Sequence, residues 1–158
     1  MAVKVLLIDD DQEFLDILSE RLTIRDMEVK TAASAKTGLD LVKNTFFDVI
    51  ILDLQMPEMD GLQALEQLTA INPNLQIILL TGHATVARGV QAMKLGAVDV
   101  LEKPVNIREL VEKIRTTSTE KVFKSKGHSG LSSPTDQQSI VSRLFQSIHT
   151  LLKKNDHP

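Results

Sequence analysis

Residues 49–61 read Val49-Ile50-Ile51-Leu52-Asp53-Leu54-Gln55-Met56-Pro57-Glu58-Met59-Asp60-Gly61. The apolar run that opens this stretch is too short for a typical helix and rich in β-branched residues, so it reads as a strand buried on both faces. Asp53 stands directly at its end. Pro57 and Gly61 then impose an irregular crossing before Leu62, Leu65 and Leu68 resume at helical spacing. A charged group at the carboxyl end of a buried strand lies where open α/β sheets keep their ligand sites.

The same unit recurs on either side. An apolar run at 3–8 is followed at once by Asp9, Asp10 and Asp11; Phe14, Ile17, Leu18 and Leu22 then share one helical face, with Asp10 and Glu13 spaced as a capping pair. Residues 27–31 predict a short second strand and 35–42 a helix capped by Ser34. The third strand, 48–52, is followed by a helix over 62–71 that stops at Asn72-Pro73. A fourth run, 75–80, ends in Thr81-Gly82-His83; Val86, Val90 and Met93 mark the helix after it, and Gly96 is placed to end that helix in a left-handed turn. The fifth strand, 98–101, ends in Glu102-Lys103-Pro104, and Asn106 with Glu109 caps a last helix carrying Ile107, Leu110, Val111 and Ile114.

Five strand-then-helix units in succession require parallel pairing through right-handed crossovers, which makes the class α/β, doubly wound, with helices on both faces. Periodicity does not fix the strand order. Of the two common solutions we expect the flavodoxin-like one, 2-1-3-4-5.

Composition narrows the function. The chain has 158 residues, 42% of them hydrophobic but only 3% aromatic, so its core must be mostly aliphatic. It lacks cysteine, which excludes a disulfide framework, thiol catalysis and zinc sites built on Cys. The N-terminus reaches acidic residues too soon for a signal peptide, and no apolar run approaches the ~20 residues of a membrane span, so a soluble cytoplasmic protein is expected. Residues 1–120 hold 12 Lys and Arg against 19 Asp and Glu, net −7, whereas residues 121–158 hold 6 against 2, net +4. An acidic body does not grip a nucleic-acid backbone.

Four strands end in polar groups: Asp9, Asp10 and Asp11, then Asp53, then Thr81, then Lys103. In a parallel sheet these ends share one edge, so the groups can converge. Taken singly, each has an ordinary structural reading: Asp10 a helix cap, Asp11 a solvated first-turn charge, Lys103 a surface cation, Thr81 a turn residue, His83 a loop residue. Together they make a different case. Two carboxylates ~5 Å apart repel by roughly 3 kcal/mol at an effective dielectric of 20, and a pocket of three needs a cation. With oxygen ligands and no nearby His or Cys, a hard ion such as Mg²⁺ is the natural occupant, its shell completed by water and a phosphate.

The set Ile-Asp-Asp at 8–10, Leu-Asp-Leu-Gln-Met-Pro-Glu-Met-Asp-Gly at 52–61, Thr-Gly at 81–82 and Lys-Pro at 103–104 resembles a response regulator receiver domain, the phosphoacceptor half of two-component signalling, over residues 3 to about 120. The resemblance implies that Asp53 is the phosphorylated carboxylate, and that Asp9 and Asp10 hold Mg²⁺ with Asp53 and the backbone carbonyl of Gln55. It also implies that Thr81 donates its hydroxyl to the phosphoryl group, that Lys103 pairs with it, and that the Lys103-Pro104 bond is cis. Gln55 and His83 match positions flanking the phosphoryl group. The implied partner is a histidine kinase or a phosphotransfer protein, and the chain is then a signalling protein rather than an enzyme. The physics agrees: a carboxylate attacking a phosphoryl group must overcome like-charge repulsion, which Mg²⁺ and an ammonium relieve. Gly82 leaves room for backbone beside the phosphoryl oxygens. One departure stands out. Val100 occupies the position, three residues before the lysine, where the family carries its switch aromatic, so the readout of phosphorylation is expected to differ here.

We divide the chain into a receiver at 1–121, a flexible linker at 122–134 and an amphipathic helical tail at 135–158. Residues 124–134 hold two Gly, four Ser and one Pro. Ser133, Pro134 and Asp136 then look like a helix start, and Ile140, Val141, Leu144, Phe145, Ile148, Leu151 and Leu152 form an apolar stripe. A lone helix of that length is marginal in water, so the stripe is expected to bury itself on the receiver, on a second tail in a homodimer, or on a partner. DNA binding is not expected, since one helix cannot supply a helix-turn-helix. The competing reading for the whole chain is an interaction module of receiver fold that phosphate does not switch. A haloacid-dehalogenase-like phosphatase fits poorly, because it wants its nucleophile on the first strand and a second Asp two residues on, where Asp53 is followed by Gln55. A flavin site fits poorly too, because three aspartates would repel the flavin phosphate.

Overall fold

The structure is a computed structural model that describes residues 2–82 and 86–126, with side chains through residue 119. Five strands, β1 (Val3–Ile8), β2 (Met27–Ala32), β3 (Val49–Asp53), β4 (Ile77–Thr81) and β5 (Asp99–Glu102), alternate with five helices, α1 (Gln12–Thr23), α2 (Ala35–Asn44), α3 (Gly61–Ile71), α4 (Val86–Lys94) and α5 (Ile107–Lys126). All pairings are parallel and the order is β2-β1-β3-β4-β5. This is the flavodoxin-like arrangement expected from the alternation of strands and helices. The reversal of winding falls between β1 and β3, whose carboxyl ends therefore face the crevice that such sheets keep for ligands.

The central strands are apolar throughout because both of their faces are covered, and residue parity decides which layer each side chain enters. Leu6 and Ile8 of β1, Ile50 and Leu52 of β3, Ile77 and Leu79 of β4 and Val100 of β5 pack under α2, α3 and α4 with Leu39, Leu65, Leu68 and Ala92. Val5 and Leu7, Val49 and Ile51, Ile78 and Leu80 pack on the opposite side with Leu15, Leu18 and Leu22 of α1 and Leu110 and Ile114 of α5. Few aromatics are needed, because aliphatic side chains from both directions fill these two thin layers.

Local signals set the helix ends. Ser34 Oγ accepts from the Thr37 N–H at 3.2 Å, and Asn106 Oδ1 accepts from the Arg108 and Glu109 N–H groups at 3.0 and 3.2 Å, as their spacing predicts. Gly96 follows α4 with φ of 106°, the left-handed turn expected of it. Asp60 caps α3 in a reciprocal box with Gln63. The capping residue of α1, however, is Asp11, whose Oδ1 accepts from the Phe14 N–H at 3.1 Å. Asp10 was expected in that role and Asp11 as a solvated charge. The helix starts one residue later than the Asp10–Glu13 spacing suggested, because Asp9 takes the Asp11 N–H at 2.9 Å and holds the loop extended. α5 continues through 122–126, so the expected linker does not begin at 122. The rest of the linker, the tail at 135–158 and His83 lie outside the described residues.

Candidate functional site

The strand register brings the expected groups to one edge. Ile8 of β1 is level with Leu52 of β3, so Asp9 and Asp53 follow side by side. Both share the parity of the α1 and α5 layer, as does Lys103 just beyond β5, whose N–H donates to the Thr81 carbonyl at 2.8 Å and extends the ladder. These three side chains, 94 residues apart at the extreme, therefore point into one volume. Lys103 Nζ donates to Asp9 Oδ2 at 2.7 Å and lies 3.8 Å from Asp53 Oδ2. The Lys103-Pro104 peptide is cis.

Asp9, Asp10 and Asp53 each offer a carboxylate oxygen, and these atoms lie within 4.8 Å of one another. Asp9 and Asp53 are buried, whereas Asp10 is exposed. Carboxylates at that spacing repel by about 3 kcal/mol per pair at an effective dielectric of about 20. Asp53 registers the strain: burial first, then the Asp9 and Asp10 charges, push its carboxyl up from 3.8 to about 6, against the Gln55 N–H and Lys103, which pull it down. The Gln55 N–H donates to Asp53 Oδ1 at 3.2 Å. One ammonium does not balance three carboxylates. An all-oxygen, net-negative cluster with one exposed member suits a hard divalent cation that keeps part of its water shell.

The loop after β3 is held by backbone rather than by side chains. The Gly61 N–H donates to the Leu54 carbonyl at 2.9 Å, and a Cβ on Gly61 would stand 2.3 Å from Leu54 Cα and 2.5 Å from the Asp53 carbonyl oxygen. Only glycine permits that approach. Glu58 takes φ of 71°, the left-handed region, in the same loop. Gly82 is different, since among the described residues nothing lies within 4 Å of a Cβ built there. Packing against the described residues therefore does not require glycine at 82. Thr81 is fully buried at the end of β4, one residue beyond Leu80, the register partner of Asp53. Val100 is a buried member of the layer under α4.

Two contacts at this edge were not legible in the sequence. Arg88, in the first turn of α4, donates from Nη2 to Asp60 Oδ1 at 2.7 Å, tying that helix to the cap of α3. Lys103 Nζ stands 4.2 Å from the centroid of the Phe14 ring. In the sequence Phe14 shows only as a member of the apolar face of α1; its place in the first turn, three residues beyond the acidic cluster, was the available signal.

Comparison with known proteins places this geometry. The family model described as response regulator receiver domain matches residues 5–115. Response regulator protein FleR of Pseudomonas aeruginosa is 38% identical over 112 residues, 71% of this chain and 24% of FleR. Response regulator MprA of Mycobacterium sp. (strain KMS) is 34% identical over 115 residues, 73% of this chain and 50% of MprA. The chain thus spans between a quarter and half of the length of these relatives. The crystal structure of a CheY-like receiver domain protein from Methanospirillum hungatei superposes with a TM-score of 0.75 at 33% identity, covering 78% of this chain and 99% of that one. A response regulator from Burkholderia pseudomallei, whose structure holds a phosphorylated aspartic acid, a calcium ion and citrate, superposes with a TM-score of 0.68 at 30% identity, covering 82% of this chain and 77% of that one. Among the described residues no helix is long and apolar enough to cross a membrane. With the motif set, the strand order and the acidic edge in agreement, the chain belongs to the response regulator receiver domain family, the signalling modules of two-component systems rather than enzymes in the ordinary sense.

Proposed function

We propose that this chain is a cytoplasmic, phosphorylation-dependent response regulator that accepts a phosphoryl group on Asp53 from the phosphohistidine of a histidine kinase or phosphotransfer protein. One observation carries the reading. Asp53 is buried at the carboxyl end of β3 with two further carboxylates within 4.8 Å and the Lys103 ammonium 3.8 Å away.

Asp9, Asp10 and Asp53, with the backbone carbonyl of Gln55, would hold Mg²⁺. When bound, the ion supplies the positive charge that lets an anionic nucleophile approach an anionic phosphoryl group. The chain's own residues do the rest. An Asp53 Oδ lone pair forms the new bond to phosphorus while the donor's P–N bond breaks, its electron pair staying on the imidazole nitrogen. Lys103, hydrogen-bonded to Asp9, is within reach of the phosphoryl oxygens, and the Thr81 hydroxyl completes the cradle. The phosphorylated aspartate and calcium of the Burkholderia pseudomallei relative support this assignment.

The signal would leave through changed protein contacts at α4 and β5. A shift from 1:99 to 99:1 needs about 5.5 kcal/mol of differential stabilisation, which several charge-assisted hydrogen bonds to a dianion approach. The net charge of −7 over residues 1–120 favours a protein partner over DNA for this domain. The apolar-striped tail at 135–158 would serve such contacts, on the receiver, in a homodimer or on a target. A second reading, a receiver-fold interaction module that phosphate does not switch, draws on Val100, an aliphatic core residue with no ring to reorient.

Intact mass with and without Mg²⁺ and acetyl phosphate, beside an Asp53→Asn variant, decides between them. A Mg²⁺-dependent gain of one phosphoryl group, lost in the variant, is expected. No gain, with no binding of beryllium fluoride, would establish the unswitched module.

A further inference from the structure

We propose that Phe14 is a positioning residue for phosphoryl transfer, its ring holding the Lys103 ammonium at the inner side of the site when Asp9 gives up that contact. The inference rests on the phosphoacceptor reading of Asp53.

The Lys103 ammonium has two close neighbours on the α1 side: Asp9 Oδ2 at 2.7 Å and the Phe14 ring at 4.2 Å from its centroid. The second distance is well inside the ~6 Å over which the negative face of an aromatic ring attracts a cation. The ring is not loosely placed. Phe14 packs against the layer of Leu15, Leu18 and Leu22, and with Leu7, Ile51 and Leu80 it lines an apolar crevice beneath Asp9 and Asp53.

Backbone geometry ties the ring to the acidic cluster. Asp9 accepts the Asp11 N–H through Oδ1 at 2.9 Å while Oδ2 holds Lys103, and Asp11 Oδ1 in turn accepts the Phe14 N–H at 3.1 Å. A closed circuit therefore runs Asp9, Asp11, Phe14, Lys103 and back to Asp9. The acid that holds the ammonium also sets the helix start that puts the ring beneath it.

Lys103 has to change partners during transfer. Asp9 serves the ammonium in the structure and a divalent cation in the proposed reaction, and one carboxylate serving both gives each less. Lys103 is partly exposed, with 23% of its side chain accessible, so an ammonium released by Asp9 has water available to it. The aromatic face offers an attraction that a cation at Asp9 does not compete for. Leucine would fill much of the same space, yet it has no quadrupole to present.

The test uses the full chain as wild type, Phe14→Leu, Phe14→Tyr, Lys103→Met and the Phe14→Leu/Lys103→Met double variant. The initial rate of phosphoryl gain from acetyl phosphate at saturating Mg²⁺ is followed by intact mass. Phe14→Leu is expected to be about two- to fivefold slower, the range a partly exposed cation–π contact supports. Phe14→Tyr, which restores a π face, should recover the loss, and Phe14→Leu should change nothing further when Lys103 is already Met. A metal-free readout accompanies the rates: the Lys103 side-chain methylene protons, shifted upfield by the ring in wild type, should return towards random-coil positions in Phe14→Leu. If Phe14→Leu lowers the thermal midpoint, Phe14→Met repeats the measurement with a more adaptable side chain. A Phe14→Leu rate equal to wild type, or an equal slowing in the Lys103→Met background, overturns the inference and leaves the phosphoacceptor reading standing. A wild-type chain that gains no phosphoryl group refutes that reading and takes this one with it.

Discussion

Replacing Asp53 with Asn should make the metal-free protein more stable, and the gain should depend on pH in a way that identifies its cause. Wild-type Asp53 is 5% exposed as a residue; its carboxyl sits within 4.8 Å of Asp9 and Asp10 oxygens and is pushed up from 3.8 to about 6. A carboxyl whose folded value lies above its unfolded value is held less well by the fold when ionised. Its contribution to stability is complete below about pH 4 and is lost as pH rises through about 6. At pH 8 the full difference applies, about 3 kcal/mol. Asn is close to isosteric, is always neutral, and keeps an oxygen able to accept the Gln55 N–H. Urea unfolding of both proteins in metal-free buffer should therefore show the variant ahead by about 3 kcal/mol at pH 8, narrowing to about 1 kcal/mol near pH 4.5. The other carboxylates are common to the two proteins and largely cancel. Mg²⁺ should reverse the ranking, stabilising wild type by mass action far more than the variant. A variant less stable than wild type at pH 8 would refute the reasoning, because burial and repulsion would then not govern Asp53. A gain independent of pH would refute it as well, since ionisation would not be its source.

Other positions give equally direct tests. Gly61→Ala sets a Cβ 2.3 Å from Leu54 Cα and 2.5 Å from the Asp53 carbonyl oxygen; backbone must move, so a loss of at least about 2 kcal/mol is expected in urea, with weakened Mg²⁺ binding because Asp53 moves too. Asp11→Ala should cost about 1 kcal/mol through loss of the α1 cap. Asp10→Ala should leave stability within about 0.5 kcal/mol or raise it, while lowering Mg²⁺ affinity as read by titration calorimetry. The reverse pattern for these two would restore Asp10 as the cap. Glu58→Gly relieves a left-handed residue at φ of 71° and should raise stability by up to about 1 kcal/mol, measured by thermal melting. No gain there would mean that the Glu58 side chain offsets the backbone strain.

The sequence by itself determined the class and named the candidates for the site. Five short apolar runs, each ended by polar residues and followed by helical spacing, admit few folds other than a parallel α/β sheet, because parallel strands need crossovers and crossovers need helices. Those same ends put Asp9, Asp10, Asp53 and Lys103 at one sheet edge, where their charged groups meet, and Ser34, Gly96 and Asn106 acted locally, so their capping and turn roles could be read from a few residues of context. Tertiary structure decided what depends on more than local context. In a strand apolar on both faces no alternation shows which layer a residue enters; parity became readable only once Leu7 met α1 and Ile8 met α2. The α1 cap passed from Asp10 to Asp11 because Asp9 bonds the Asp11 N–H, a single contact that spacing rules do not see. Lys103 above Phe14, and Arg88 on Asp60, join residues separated by a strand order that periodicity leaves open. The raised pKa of Asp53 has the same origin, for a carboxylate in a sequence carries no record of how much water, or how many other charges, the folded chain will leave around it.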